Sequence, residues 1–297
     1  MPGALREAER GVMTLSAAYA KRQGRYFAQY DGSVDPQGRP MRSLCDSAAE
    51  PLRMSEVLAL ASTEEQQLWD DLSLDYSAKN GRVELRREVA SREYGEGIGA
   101  DRVTIVVPEE GIFLAMAAAL SPSLTPTTDT ATTAHTCSGV AQRHVICTTP
   151  AFQSLTEHVE SAGCQVDYWE PRLLLAEPGR EAARWWFAVD DLAMLLRPDT
   201  ALVVLNMPHN PTGALCSQAE LDRIVELCRA VGARIFVDEI YRGLEVDPVQ
   251  RLAPIADMYE YGMSMNGLSK TCGVPGTRIG WVASKDADWM ERINELH

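Results

Sequence analysis

Downstream of residue 143 the chain alternates between short apolar runs and amphipathic stretches, and this alternation restricts the fold more than any other feature. His144-Val-Ile-Cys147, Ala201-Leu-Val-Val-Leu205, Arg234-Ile-Phe-Val237 and Ile279-Gly-Trp-Val282 are short, β-favouring and bounded by turn or polar residues. Such runs predict strands buried on both faces. Between two of them, Ser217 and Glu220 form a capping-box pattern, which satisfies the exposed N–H groups at a helix start. Leu221, Ile224, Val225 and Cys228 then recur on one helical face, and Gly232 supplies the stop. Residues 153–163 predict another helix, with Leu155, Val159 and Ala162 on one face. Strands and helices in this order imply an α/β fold, a mostly parallel sheet sandwiched by helices. In such a sheet, ligands collect beyond the carboxyl ends of the strands.

Charge and cysteine usage narrow the classes of function. A formal net charge of -14 lacks the basic footprint that a nucleic-acid partner requires, so a small-molecule ligand is expected. Seven cysteines without a CxxC pair point to a reducing compartment and to no zinc site. No apolar run approaches the roughly 18 residues of a membrane-spanning helix, and a cytoplasmic location is expected. Residues 1–26 carry five basic residues, a feature of organellar transit peptides, but Glu7 and Glu9 favour an amphipathic N-terminal arm instead. Residues 121–142, rich in Ser, Thr, Ala and Pro, read as an exposed, poorly ordered insertion.

Three motifs follow strand patterns, where the ligand rule expects chemistry. Asn206-Met-Pro-His-Asn-Pro-Thr-Gly213 is a tight-turn sequence with a candidate cis Asn-Pro bond; it is either a structural turn or a mount for the Asn210 amide. Asp238-Glu-Ile-Tyr241 places a carboxylate at the end of a buried strand, where it must be paired or hydrogen-bonded. Asp238 is then a helix N-cap, a structural ion pair, or the counter-charge to a protonated ring nitrogen. Lys270 lies between a strand pattern and a Gly/Pro-rich loop, after Ser269 and eight positions before Arg278. Such a lysine is either a solvated surface charge or a nucleophilic amine beside a phosphate grip.

In this order and spacing the three motifs resemble the class I/II aminotransferases, pyridoxal-phosphate enzymes of fold type I that include aspartate aminotransferase. The resemblance runs over residues 44–297, which would form the cofactor-binding large domain, with residues 1–43 as an N-terminal arm and part of a small domain. It implies that Lys270 holds pyridoxal 5′-phosphate as a Schiff base and shuttles a proton, that Asp238 faces the pyridine nitrogen, and that Asn210 and Tyr241 bond the ring's O3′. By the same resemblance Phe152 stacks on the ring. Ser269, Arg278 and the backbone at Glu109 share the phosphate, and Tyr76 reaches the phosphate of a neighbouring subunit in a homodimer. A competing reading of Tyr76 is that it packs at a helix start. The implied reaction transfers an amino group from an amino acid to a 2-oxo acid.

The chain also departs from the family pattern. Many relatives have Gly-Ala ahead of the phosphate-binding helix, where this chain has Val107-Pro108 followed by Glu109-Glu110-Gly111. Proline supplies no N–H, and a carboxylate there opposes an anion. Gly267 stands where many relatives carry a second phosphate-binding serine. No residue matches the arginine that clamps the substrate carboxylate, so the chain is expected to be a fragment of a longer protein or a shortened relative. The alternatives to a transaminase are a pyridoxal-phosphate lyase, of the aminocyclopropane-carboxylate-synthase or carbon–sulfur type, and an inactive truncated member.

Overall fold

The computed structural model describes residues 37, 39, 47, 50–121, 143–175 and 183–297. The chain divides into two units, Met1–Ala49 and Glu50–His297. Nearly all of the expected N-terminal arm and residues 122–142 of the expected insertion lie outside the described residues. The second unit opens with the helices α1 (Met54–Ala59), α2 (Thr63–Asp70) and α3 (Val83–Glu93), then β1 (Val103–Val106) and α4 (Pro108–Leu120). It continues through β2 (His144–Thr148), α5 (Ser154–Ser161), β3 (Gln165–Trp169), β4 (Arg172–Leu174), β5 (Arg184–Trp186), α6 (Val189–Leu195) and β6 (Thr200–Asn206). The remaining elements are α7 (Gln218–Val231), β7 (Arg234–Asp238), α8 (Ile255–Met258), β8 (Gly262–Gly267), β9 (Gly280–Ser284) and α9 (Ala287–Leu296).

Seven strands form one sheet in the order β1-β9-β8-β7-β6-β2-β3. The pairs from β3 to β8 are parallel, whereas β9 is antiparallel to both β8 and β1. The mostly parallel α/β architecture expected from the alternation is therefore present. β4 and β5 form a separate two-stranded ribbon.

Alternate side chains of the same strands feed opposite cores, as the pleat dictates. Val145, Cys147, Leu202, Val204 and Phe236 pack with Leu114, Leu155, Trp289 and Ile293 from α4, α5 and α9. Ile146, Val203, Leu205, Ile235 and Val237 pack instead with Leu192 of α6 and Leu221, Ile224, Val225 and Cys228 of α7. Each fully buried branched side chain contributes about 1.5–3 kcal/mol, so both helical layers are held firmly. The boundaries of α7 are those of its signals. Ser217 Oγ accepts from Glu220 N–H, the Glu220 side chain returns to the Ser217 N–H, and Gly232 ends the helix in the left-handed region at φ 72°.

Several boundaries shift. The last predicted strand begins one residue late and runs to Ser284, because Gly280 pairs with both Gly267 and Val106. Asp238 is the final residue of its strand, and no helix begins there, which removes the N-cap reading. Its carboxylate Oδ1 accepts instead from the Ile240 N–H two residues on, at 3.0 Å. Cys147, Cys164, Cys216, Cys228 and Cys272 are free thiols, and no metal-holding cluster exists among the described residues. No helix among them is long and apolar enough to cross a membrane.

Candidate functional site

Strand direction puts most of the nominated residues on one edge of the sheet. The parallel strands β2, β6, β7 and β8 end at Thr148, Asn206, Asp238 and Gly267. Phe152, Asn210, Asp238, Tyr241, Ser269 and Lys270 therefore follow or close strands at the same edge. β9 runs the other way, so its start, and Arg278 two residues before it, lie there as well. β1 is antiparallel to β9, which brings the start of α4 with Glu109 to this edge too. Across the edge the order is α4, Arg278, Ser269 and Lys270, Asp238, Asn210, Phe152.

The half of this edge expected to receive phosphate is built by close backbone approach. A Cβ on Gly280 would sit 2.9 Å from both the Asn266 carbonyl and Pro108 Cγ, so the start of α4 touches the start of β9. A Cβ on Gly267 would lie 2.9 Å from the Ile279 carbonyl. Gly267 thus sits where the backbone of Ile279 and Gly280 passes too close to leave room for a side chain. Ser269 is buried and Lys270 half-buried in the turn that follows, closed by the Val274 N–H on the Leu268 carbonyl at 3.3 Å. Arg278 is exposed and takes φ 54°, ψ 29°, the sole positive φ outside glycine among the described residues. That conformation costs about 1–2 kcal/mol for a residue with a side chain. Pro108 occupies the first position of α4, where a missing N–H disturbs no helical bond, and the N–H groups of Glu109 and Glu110 emerge from the helix start.

The other half centres on Asp238, which is 4% exposed. Burial pushes its carboxyl up to about 7; the Ile240 N–H and the Lys270 ammonium pull the other way. A buried carboxylate so placed suits a cationic or hydrogen-bond-donating ring nitrogen. Lys270 Nζ lies 5.7 Å from the centre of the Tyr241 ring, over its face, so the amine, the phenol and the carboxylate share one locality. Lys270 is thus half-buried at this locality.

Asn206, for which the motif implies no role, has one in the structure. Fully buried, it donates from Nδ2 to the Asp238 carbonyl at 2.8 Å and accepts at Oδ1 from the Asn210 N–H at 2.7 Å. One side chain thereby fixes the Asn210 turn to the strand that carries Asp238. A polar residue closing an apolar strand was the available signal. The adjacent His209 is buried edge-on to Phe187 at 4.7 Å, and its Nδ1 shares a hydrogen bond with the Thr212 hydroxyl at 2.8 Å. Burial drops it to about 4, so it stays neutral and serves the turn. Asn210-Pro211 is a cis peptide, as are Met207-Pro208 and Thr149-Pro150.

Glu239 was also passed over. It is buried beside Asp238, and its Oε1 accepts from the Ile255 N–H at 2.8 Å and from the Ser264 hydroxyl at 2.7 Å, tying the turn to β8 and α8. Tyr76 is placed differently from the rest. It is fully exposed in the segment before α3, so it does not pack at a helix start, and no contact brings it to Lys270. A separate cleft of about 580 Å³, lined by Arg184, Leu215, Ser217, Gln218, Val249 and Arg251, holds none of the nominated residues.

Residues 125–297 match the family model described as aminotransferase class I and II. Among curated relatives, an L-aspartate:5-guanidino-3-methyl-2-oxopentanoate transaminase of Pseudomonas syringae is 30% identical over 47% of this chain and 34% of its own. Aromatic-amino-acid aminotransferase 2 of Thermococcus litoralis is 27% identical over 71% of this chain and 49% of its own. The chain thus spans between about a third and a half of these relatives. A PLP-dependent aminotransferase from Streptococcus suis superposes with a TM-score of 0.71 at 24% identity, covering 92% of this chain and 64% of that one. Aspartate aminotransferase of Thermotoga maritima gives 0.66 at 19% identity, over 96% and 66%. At these identities the superpositions establish the fold alone.

Proposed function

Because the chain belongs to the aminotransferase class I and II family, we propose that it binds pyridoxal 5′-phosphate on Lys270 and moves an amino group from an amino acid to a 2-oxo acid. The observation that carries this reading is Asp238, a carboxylate buried at the strand end and acted on by the Lys270 ammonium. A protonated pyridine nitrogen against it would supply a positive donor and hold the carboxyl ionised. The relatives' transaminase names are consistent with the transfer.

When bound, the cofactor supplies an electron sink for the bond broken at the substrate's α-carbon. The protein's residues do the rest. Lys270 would hold the cofactor and could carry a proton to and from the substrate's α-carbon. Asp238 would stand against the ring nitrogen and favour its protonated form. Asn210 and Tyr241 would donate to the ring's phenolic oxygen, and Asn206, which fixes the Asn210 turn, would set the angle. Phe152 would pack against the ring. Ser269, Arg278 and the first N–H groups of α4 would hold the phosphate. Full exposure of Tyr76 suits a group that completes the site of a second subunit in a homodimer. In this reading residues 44–297 are the cofactor-binding large domain and residues 1–43 the N-terminal arm and part of a small domain.

Adding pyridoxal phosphate to the cofactor-free chain should produce a visible absorption band that Lys270→Ala removes. No band in the well-folded wild type refutes the reading. Conversion of that band by amino acids, without release of ammonia or thiol, separates amino transfer from lyase chemistry.

A further inference from the structure

The departure at Val107-Pro108-Glu109-Glu110 places a carboxylate in the first turn of the helix expected to hold the phosphate. The structure shows where that carboxylate goes. Ser154, the first residue of α5 and itself buried, donates its hydroxyl to Glu109 Oε1 at 2.8 Å. One turn on, Phe113 of α4 meets His158 of α5 edge-to-face at 5.2 Å, so the two helices touch in two tiers. The position of this contact matters more than its strength. α4 follows β1 and α5 follows β2, and in the sheet these strands are five spacings apart, roughly 24 Å. The helix α4 leans across the sheet face from β9 toward β6, and the loop 149–153, which carries Phe152, leads from the end of β2 directly into Ser154, so the bond to Glu109 fixes the far end of that loop against the start of α4.

We propose that the Glu109–Ser154 hydrogen bond is a clasp that fixes the Phe152 loop at the carboxyl edge of the sheet, which makes Glu109 a positioning residue for the cofactor ring. The inference rests on the cofactor reading above. Glu109 acts by joining the helix start at the phosphate end to the loop at the ring end, and the Ser154 hydroxyl draws its carboxylate toward α5. A further consequence concerns charge. The Glu109 carboxylate holds His158 up against the effect of burial, so loss of that charge lowers the point at which His158 titrates.

The test compares Glu109→Gln, Glu109→Ala and Ser154→Ala for binding of pyridoxal phosphate and of pyridoxal, with circular dichroism of the bound chromophore at saturation. Glutamine keeps an acceptor for Ser154 and loses only the charge. Glu109→Gln should bind both compounds as wild type does, or bind the phosphate form more tightly. Glu109→Ala and Ser154→Ala should weaken both compounds alike, by roughly tenfold, as expected for loss of one hydrogen bond at the charged-group scale. Both should also change the dichroic amplitude, which reports ring tilt and which a uniform loss of stability leaves alone. Tighter binding of the phosphate form by Glu109→Ala, with pyridoxal unchanged, would show that the carboxylate only repels phosphate and would overturn the clasp. Unchanged binding and dichroism in Ser154→Ala overturns it as well. A wild type that binds neither compound sinks the cofactor reading and the clasp with it; one that binds both, with Ser154→Ala unaltered, sinks the clasp alone.

Discussion

The two edges of the sheet treat buried charge in opposite ways. At the edge where β2, β6 and β7 begin, charged and polar groups are matched to partners. Buried His144 bonds the Thr200 hydroxyl at 2.8 Å and the Asp167 carboxylate at 3.0 Å, linking three neighbouring strands. Arg234 pairs with Asp286 and Asp288 at 2.9 and 3.0 Å. Arg292, 4% exposed, pairs with Asp288 and donates to the carbonyls of Ala118 and Ser121, capping the end of α4. At the opposite edge Asp238 is equally buried, its Oδ1 accepts from the Ile240 N–H, and burial displaces its carboxyl to about 7 against the pull of Lys270. Partnered buried charge stabilises a fold, whereas buried charge held away from its optimum is available to a ligand.

The largest effect should come from breaking the matched edge. Arg292→Ala leaves Asp288 with Arg234 alone and uncovers the α4 carbonyls, so denaturant unfolding should show a loss of about 3 kcal/mol. Affinity for pyridoxal phosphate measured below the unfolding range should not change. A fall in affinity as large as the fall in stability would mean that the two edges are not separate in function.

Asp238 sharpens the contrast through pH. Its carboxyl lies higher in the folded protein, at about 7, than the ordinary 3.8, so its stabilising share is complete below about 4 and is lost as pH rises toward and through about 7. The cofactor-free protein should therefore lose on the order of 1–3 kcal/mol between pH 5 and pH 8, and Asp238→Asn should flatten that slope. Bound cofactor should flatten it too, by supplying a cation. Glu239 shares the direction, being raised to about 7 by burial, and accounts for any slope left in the variant. A wild-type slope identical to that of Asp238→Asn would show that Asp238 is not displaced.

The smallest effect belongs to Tyr76. Fully exposed, it should change stability by no more than about 0.5 kcal/mol on conversion to Phe. If it completes a second subunit's site, Tyr76→Phe weakens pyridoxal phosphate and leaves pyridoxal untouched. Equal binding of both assigns it no part in the site.

Much of this was legible in sequence because it is written locally. The α7 cap and stop, the buried strands at 144, 201 and 234, and the polar residues at their ends need only near neighbours and a residue period. A strand pattern is legible before Lys270, but Gly262-Met-Ser-Met-Asn-Gly267 carries no β-branched residue to bound it; its strand conformation comes from pairing with β7 and β9. β1, Val103-Thr-Ile-Val106, is wholly β-branched, yet four residues are too few to show a period, and pairing with β9 marks it as a strand.

By itself the sequence determined the alternation of strand and helix, the edge at which chemistry gathers, and the residue types gathered there. Only the tertiary structure decided that Asn206 joins Asn210 to Asp238, that Gly267 has no room for a side chain, and that Glu109 is taken by Ser154. The physical reason is range. Period and turn chemistry act within a few residues, whereas these contacts join segments up to 45 positions apart, whose meeting is set by strand order and the helix that crosses beneath it.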